Sequence, residues 1–305
     1  MSLIQVTRLH TLTGHQDCVY SLAPATQESI FFSAGGDGMV VRWDLNNPQE
    51  GELVARLPNS VYALHYHREK DLLIAGHNYE GIHVLDWQQK KEIGSLKLGP
   101  AAIFDIQSQG NILLVATGDG TVWVLTLEPL QVQYKLKLSE KSARVIALNP
   151  QRGEVAVGYS DYFIRIFSLT DFSLIHEFQA HQNSVFTLHY TRDFNYLISG
   201  SRDARLKAWD AAHYTQTAEV VAHLYAINHI ALSPSGDYFA TGSMDKSIKI
   251  WDTASLKLLK VIDKARHAGH GTSVNKVWWS THQNRLVSAS DDRSISIWDL
   301  QFPKA

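Results

Sequence analysis

Four sets of histidine, serine or threonine, and aspartate recur along the chain at identical spacing, and these are the residue types of a hydrolase catalytic triad. In each set the histidine lies 22 residues before the aspartate, and the hydroxyl residue lies four before it. The sets, each with the tryptophan that follows, are His15, Ser33, Asp37 and Trp43; His181, Ser199, Asp203 and Trp209; His223, Thr241, Asp245 and Trp251; and His270, Ser288, Asp292 and Trp298. No enzyme needs four identical triads. The sets are therefore interpreted as a repeated structural network, and no residue is predicted to be catalytic.

Other residues with metal-binding or nucleophilic side chains do not form a recognisable site. His65, His67 and His77 lie close together in the chain, and a His-x-His spacing can bind zinc. No cysteine or nearby carboxylate completes a tetrahedral set, so a surface or cross-strand histidine pair is favoured. Cys18, the single cysteine, has no recognisable base partner and is interpreted as a rim thiol. We predict neither a metal nor a cofactor.

The four sets belong to a longer unit that recurs through the whole chain. Each tryptophan is followed by aspartate, and Leu85, Leu125 and Phe167 occupy the same position in three degenerate copies. These seven positions are 40 to 47 residues apart, so one supersecondary unit is copied seven times. In the sixth copy, Ser247 to Trp251 alternates polar and apolar residues, which indicates a half-buried strand. Helical periodicity is absent from the chain.

The unit opens on glycine–histidine, closes on tryptophan–aspartate and has about 40–45 residues, and in these respects it resembles the WD-repeat β-propeller. The resemblance implies an all-β fold, a seven-bladed β-propeller with four-stranded antiparallel blades. It also implies the role of the recurring residues. The histidine ring donates to the aspartate and contacts the hydroxyl, which meets the indole N–H. A satisfied buried network of this kind rigidifies a small sheet that has little core of its own.

The spacing predicts a single domain over residues 1–305. Its approximate blades are residues 13–57, 58–98, 99–138, 139–180, 181–222, 223–267, and 268–305 together with 3–12. The first residues have the composition of a strand, and the last unit ends after its third strand. Pairing of these two segments closes the ring and removes an exposed sheet edge. The residues from Gln301 onward are expected to lie beyond the last strand and to contribute little.

The irregular units carry further information. Blades two, three and four lack the network, so they are predicted to be held by apolar packing, as in Leu72–Ile74 and Ile112–Val115. The last spacing is the longest and places an insertion at residues 263–271. A tolerated insertion is favoured there over a functional loop, and the sequence leaves its role open.

Composition limits the classes of partner. Hydrophobic residues make up 45% of the chain and charged residues 19%, so the chain can bury a large core. The formal net charge of −2 gives no long-range attraction to nucleic acid or to an anionic membrane. No apolar run approaches a membrane span, and the lone cysteine fits a reducing compartment. We therefore predict a cytoplasmic protein that is monomeric by itself.

The resemblance implies a non-catalytic scaffold that binds proteins or peptides at the mouth of the central channel. The alternative is a propeller enzyme or small-ligand sensor that uses the channel, which would need converging carboxylates or histidines. Alignment of the inner strands places these residues around the mouth: Tyr20, Tyr62, Phe104, Ile146, Phe186, Asn228 and Asn275. The residues before the turn aspartates add Arg202, Met244 and Asp291. Whether the aromatic rings bind a partner or only plug the channel stays open, as does the partner's identity.

Overall fold

A computed structural model describes residues 4–302 of the chain as seven four-stranded antiparallel sheets. Strand β1 (Gln5–Leu12) precedes the first complete blade. Blade one contains β2 (Val19–Pro24), β3 (Ile30–Gly35), β4 (Met39–Asp44) and β5 (Glu52–Arg56); blade two contains β6 (Val61–His67), β7 (Leu72–His77), β8 (Gly81–Asp86) and β9 (Lys91–Leu96). Blade three contains β10 (Ile103–Gln109), β11 (Ile112–Thr117), β12 (Thr121–Thr126) and β13 (Gln131–Lys137); blade four contains β14 (Ala143–Asn149), β15 (Glu154–Tyr159), β16 (Phe163–Ser168) and β17 (Leu174–Gln179).

The remaining three blades repeat this order. Blade five contains β18 (Val185–Tyr190), β19 (Tyr196–Ser201), β20 (Arg205–Asp210) and β21 (Gln216–Val221); blade six contains β22 (Ile227–Leu232), β23 (Tyr238–Ser243), β24 (Ile248–Asp252) and β25 (Leu258–Ile262). Blade seven contains β26 (Val274–Trp279), β27 (Leu286–Ser290) and β28 (Ile295–Gln301), with β1 as its outermost strand. The predicted seven-bladed architecture is confirmed.

Ring closure occurs where the two ends of the chain meet. Strand β1 pairs antiparallel with β28 in a register that runs from Leu12 opposite Ile295 to Gln5 opposite Gln301. The backbone groups of β28 that would form an open edge are therefore hydrogen-bonded. This is the predicted closure; residue 3, the first of the predicted segment, lies outside the described residues.

Apolar side chains fill the space between neighbouring blades. Every residue of β3 is buried, whereas all of β17 except Phe178 is exposed, so the core lies along the inner strands. Between blades one and two, Phe32 belongs to the same buried cluster as Tyr66 and Leu73. Full burial of a Phe or Leu side chain contributes about 1.5–3 kcal/mol. Packing between the blades thus fixes the positions of the inner strands, which line the channel.

The fold is all-β as predicted, and the insertion at residues 263–271 adds one turn of helix. Helix α1 (Lys264–His267) forms one turn there, because the Asp263 carboxylate accepts a hydrogen bond from the Arg266 backbone N–H at 2.9 Å and caps it. A 3₁₀ turn spans His282–Asn284. Over residues 4–302, no helix is long and apolar enough to cross a membrane.

The prediction of purely apolar packing in blades two to four is incomplete. In blade four, Arg165 is buried and forms ion pairs with Asp161 at 2.9 Å and with Glu177 at 3.0 Å. In blade three, the Thr117 hydroxyl donates to Asp119 at 2.6 Å. Polar groups at these hairpins need partners once the neighbouring blades cover them, and each blade provides a different set.

The expectation for the C-terminus is also wrong in part. Gln301 is the last residue of β28 and pairs with Gln5. The ring of Phe302 stacks on Tyr238 of blade six, with centroids 4.2 Å apart, and on Trp279 at 6.2 Å. Phe302 therefore fastens the end of the chain to two blades, and its removal would cost packing energy.

Candidate functional site

The four recurring sets form the same hydrogen-bonded chain. The histidine Nδ1 lies 2.8–3.0 Å from the aspartate carboxylate, and Nε2 lies 2.7–2.8 Å from the hydroxyl oxygen. The tryptophan Nε1 donates to the same hydroxyl at 2.8–2.9 Å. Because a carboxylate only accepts, Nδ1 is the donating nitrogen, and the hydroxyl donates to Nε2.

The hydrogen bonds run in the same direction as in a catalytic triad, but the hydroxyl that would be the nucleophile is inaccessible. Ser33, Ser199, Thr241 and Ser288 are fully buried, and each hydroxyl is occupied by both the histidine and the indole. A substrate carbonyl has no access to such an oxygen. The sets therefore join the third strand of a blade to the loop that enters its first strand. They stabilise the conformation of that loop and of the neighbouring hairpin turn.

The mouth of the channel is built by a β-bulge that recurs at the start of every inner strand. In blade one, Val19 pairs with Gly35 and Ser21 with Ala34, so Tyr20 is the extra, unpaired residue. The same shift occurs in the other six blades. A bulge re-aims the side chain of its extra residue. The seven bulged residues are Tyr20, Tyr62, Phe104, Arg144, Phe186, Asn228 and Asn275.

Six of these seven positions are the predicted ones, and the fourth is a correction. Ile146, the predicted residue of blade four, is buried two residues further along β14, and Arg144 occupies the bulge. Alignment by apolar pattern cannot separate positions that differ by two, because side chains two apart point to the same face of a strand. The mouth thus holds a cation that the sequence did not predict.

Five consecutive bulged residues are in contact, and we call Tyr20, Tyr62, Phe104, Arg144 and Phe186 the mouth arc. The ring centroids of Tyr20 and Tyr62 are 4.6 Å apart, and those of Tyr62 and Phe104 are 6.1 Å apart. The guanidinium carbon of Arg144 lies 4.1 Å from the Phe104 ring centroid and 5.3 Å from that of Phe186. Arg144 is therefore held between two aromatic faces by cation–π contacts.

The predicted amides do not extend the mouth arc. The Asn228 side-chain N–H groups donate to Ser273 Oγ and to the Val274 carbonyl, both at 2.9 Å. Those of Asn275 donate to the Val19 carbonyl at 3.0 Å and to the Asp291 carboxylate at 2.7 Å. Both amides thus join neighbouring blades, and their donors are already used.

Exposed apolar side chains lie on the blade-six side of the mouth. Predicted Met244 is 52% exposed, and the adjoining Leu224 and Tyr225, which the sequence analysis did not select, are 83% and 61% exposed. The Ser243 hydroxyl lies 3.4 Å from the Tyr225 carbonyl, which holds this loop beside the β23–β24 turn. The sequence feature that indicates Leu224 and Tyr225 is their position directly after His223 of the network. Arg202 is exposed at the equivalent turn of blade five.

Below the mouth, a cavity of about 860 Å³ continues into the channel. Its lining includes five titratable side chains that the sequence analysis did not place there: His65, Asp105, His189, His229 and Lys276. Asp105 accepts from the backbone N–H of Ile146 at 2.7 Å, His65 bonds Ser108, and His189 bonds a backbone carbonyl. Burial raises the pKa of Asp105 and lowers that of Lys276. Asp105, His65 and His189 thus already form hydrogen bonds with other groups of the protein.

Cys18 lies at the rim beside Asp291. Burial, followed by the charge of Asp291, raises the pKa of its thiol to about 11. We expect iodoacetamide to alkylate Cys18 at pH 8 on the order of 100-fold more slowly in the folded protein than in guanidinium chloride, because only the thiolate reacts. Mass spectrometry of timed samples measures both rates, with a cysteine-containing peptide as the reference. Equal rates in the two states would contradict the raised pKa.

A family model described as "WD domain, G-beta repeat" matches residues 6–44, 172–210, 214–252 and 262–299, about half of the chain. The chain belongs to the WD40 repeat family. Each matched stretch contains one of the four networks described above, and residues 45–171, between the first and second matched stretches, contain blades two and three and the first three strands of blade four.

Individual relatives are distant. The chain is 24% identical to Striatin-3 of Mus musculus over 70% of this chain and 23% of that protein. It is 25% identical to the WD repeat-containing protein 91 homolog of Dictyostelium discoideum over 65% of this chain and 27% of that protein. The match thus spans about a quarter of these relatives. The solved WD40 β-propeller domain of Doa1 superposes with a TM-score of 0.86 at 20% identity, covering 97% of both chains, which shows the fold.

Proposed function

We propose that the protein is a non-catalytic scaffold whose channel-mouth face binds an extended segment of another protein that carries an acidic side chain. The observation that carries the proposal is Arg144, a half-buried cation between two aromatic rings with no carboxylate of its own. Among residues 4–302, no Asp or Glu side chain forms an ion pair with Arg144 or with Arg202. A partner carboxylate would supply the missing charge.

Electrostatics at the mouth supports the same partner chemistry. Burial, followed by the positive charge of Arg202, lowers the pKa of Arg144. A cation that is destabilised by a second cation, and that has no ion-pair partner among residues 4–302, favours the approach of an anion. An acidic residue fits this position better than nucleic acid does, because the net charge of the chain is −2.

Apolar contacts would provide the rest of the binding energy. Tyr20, Tyr62 and Phe104 offer ring faces at the centre, while Leu224 and Tyr225 stand out on the blade-six side. Large aromatic and arginine side chains are the residues most often responsible for binding energy at interfaces. The proposed ligand is therefore a peptide segment with apolar side chains beside its acidic one.

The alternative function is a small-ligand site or enzyme in the channel. Its support is Lys276 and His229, which line the cavity; the His229 Nδ1 has no hydrogen-bond partner among residues 4–302. The scaffold is favoured because Asp105, a carboxylate that lines the channel, is already bonded to backbone N–H groups at 2.7 and 2.9 Å.

The test uses random 12-residue peptides displayed on phage and selected on the immobilised protein. We expect the enriched peptides to contain Asp or Glu next to apolar residues. Binding should fall at least about 10-fold in Arg144→Gln and in the double variant Tyr20→Ala with Tyr62→Ala, since loss of interface anchors typically costs over 1 kcal/mol each. Tyr196→Ala is the matched control, because this exposed tyrosine begins β19 at the opposite end of the channel.

Thermal unfolding of the same variants separates a site from a plug. A binding role predicts folded variants with nearly unchanged melting temperatures. Strong unfolding of the double variant, with Phe186→Ala behaving alike, would show that the rings only plug the channel. Full retention of peptide binding in Arg144→Gln would remove the acidic partner from the proposal.

A further inference from the structure

Blade two contains a buried histidine at the end of its second strand. His77 is the last residue of β7 and is fully buried. Neither of its ring nitrogens has a hydrogen-bond partner among the described residues 4–302. An unpaired polar group in this position costs folding free energy, so a missing ligand is the first explanation to consider.

Two further metal-ligating side chains point at the same place. Glu80 Oε2 lies 3.9 Å from His77 Nδ1, and the ring centroids of His77 and His83 are 5.4 Å apart. One ligand atom from each of these three side chains lies within 4.8 Å of the other two. The β7–β8 register explains the grouping. His77 pairs with Gly81 and Ala75 with His83, so both imidazoles project from the same face of the sheet.

The outer strand orients one of the imidazoles. Glu92 on β9 accepts a hydrogen bond from His83 Nδ1 at 2.9 Å. A carboxylate behind a histidine is the arrangement that fixes ring orientation and raises the basicity of a metal ligand. His83 is half-buried and Glu80 is exposed, so the cluster opens to solvent on one side.

Blade four shows what occupies the equivalent positions elsewhere in the ring. Tyr159 ends β15 as His77 ends β7, and Arg165 on β16 matches His83 on β8. The Arg165 guanidinium lies 4.6 Å from the Tyr159 ring and pairs with Asp161 and Glu177. Blade four thus places its own cation between two carboxylates. In blade two, the carboxylates of Glu80 and Glu92 lie near the position that corresponds to Arg165. Two imidazoles, and no cationic side chain, occupy that position.

We infer that His77, Glu80 and His83 bind a divalent transition-metal ion of the zinc type, with Glu92 supporting His83. Two imidazoles and a carboxylate are suitable ligands for Zn²⁺, which binds them at about 2.0–2.2 Å. Ligand atoms around such a tetrahedral ion are about 3.4 Å apart, so small side-chain rotations close the cluster. The ion fastens the β7–β8 hairpin in a blade that lacks the His–Asp network, and water fills the remaining position.

The test is Zn²⁺ binding by the full chain after removal of any affinity tag and extraction with chelator. Wild-type protein dialysed against dilute Zn²⁺ should retain one equivalent by elemental analysis, and Co²⁺ should give a visible d–d absorption band. His83→Ala should weaken Zn²⁺ binding more than any change behind it does, because it removes a direct ligand. Glu92→Gln should weaken it by about 10–100-fold, the usual effect of removing an outer-shell partner. His213→Ala is the matched control, since this histidine is exposed and also lies beside a carboxylate.

Thermal unfolding shows whether a variant fails through folding or through ligand loss. In chelator, His83→Ala and wild type should melt within a few degrees of each other, because His83 is only half-buried. Added Zn²⁺ should raise the melting temperature of wild type and His213→Ala and leave His83→Ala unchanged, because a ligand of the native state shifts the unfolding equilibrium. Absence of retained Zn²⁺ in wild type, or equal retention in His83→Ala, would overturn the site.

Discussion

Removal of residues 1–12 is expected to convert the protein into a protease-sensitive, aggregating species. The deletion takes away all of β1, which pairs with β28 along its whole length, and with it the buried side chains Ile4 and Leu12. It also removes the hydrogen bond from Arg8 to the Ala268 carbonyl at 2.6 Å. The edge of β28 is then open, and an open edge is a template for association with another chain. Light scattering and the half-life in dilute trypsin measure the outcome.

A peptide of residues 1–14 provides the control for this deletion. Added in excess, it should occupy the edge of β28 and restore protease resistance, whereas a scrambled peptide of the same composition should not. A truncated protein that stays dispersed and melts within a few degrees of wild type would show that the ring does not depend on this closure.

Replacement of Asp203 by alanine is expected to lower the free energy of unfolding by about 1–3 kcal/mol or more. The carboxylate accepts from His181 Nδ1 and from the backbone N–H groups of Gln182 and Arg205, each at 3.0 Å. Alanine removes the acceptor of all three donors, and the His181 Nδ1–H is left unpaired on a buried side chain. Urea denaturation followed by tryptophan fluorescence measures the change. Asp237→Ala is the matched control, because that carboxylate is exposed and accepts no hydrogen bond from residues 4–302.

The pH dependence of stability provides a second readout of the same carboxylate. Burial raises the pKa of Asp203, but hydrogen bonds from His181 and the backbone outweigh it and lower the pKa to about 2 from an ordinary value of 3.8. Because the pKa of this carboxyl is lower in the folded state, its ionisation stabilises the fold at pH values above the unfolded-state pKa. That stability is lost as the pH falls through the folded-state pKa. Wild type should therefore lose more stability between about pH 4 and pH 2 than Asp203→Ala does. Parallel pH profiles, or an unchanged melting temperature in the variant, would mean that Asp203 does not hold the network.

The repeat made the ring predictable in detail. His181, Asp203 and Trp209 are far apart in the chain, yet four copies at one spacing identified them as a unit. A strand at each end of the chain, with one strand missing from the last blade, was enough to predict that β1 pairs with β28. The copied spacing predicts the units of the network, whereas the closure follows from the composition of the end segments and from the resemblance to the WD repeat.

Arg144 shows where sequence distance fails. The degenerate fourth blade has no histidine from which to count, so only its apolar residues indicate a register, and the β-bulge that aims Arg144 at the mouth leaves no mark in such a pattern. The contact of Arg144 with Phe104 and Phe186 joins three consecutive blades and exists only once these blades have packed side by side.

The amino-acid sequence by itself determined the number of repeated units and the residues of the four networks, because both follow from periodic spacing, and its resemblance to the WD repeat implied the blade architecture and the closure of the ring. Only the tertiary structure decided which side chains meet between strands and blades. The register of one hairpin brings His77 and His83 together. The side-chain N–H groups of Asn228 and Asn275 donate hydrogen bonds to neighbouring blades. Such contacts depend on the pairing register and the angle between blades, and neither is encoded in a spacing that all seven copies share.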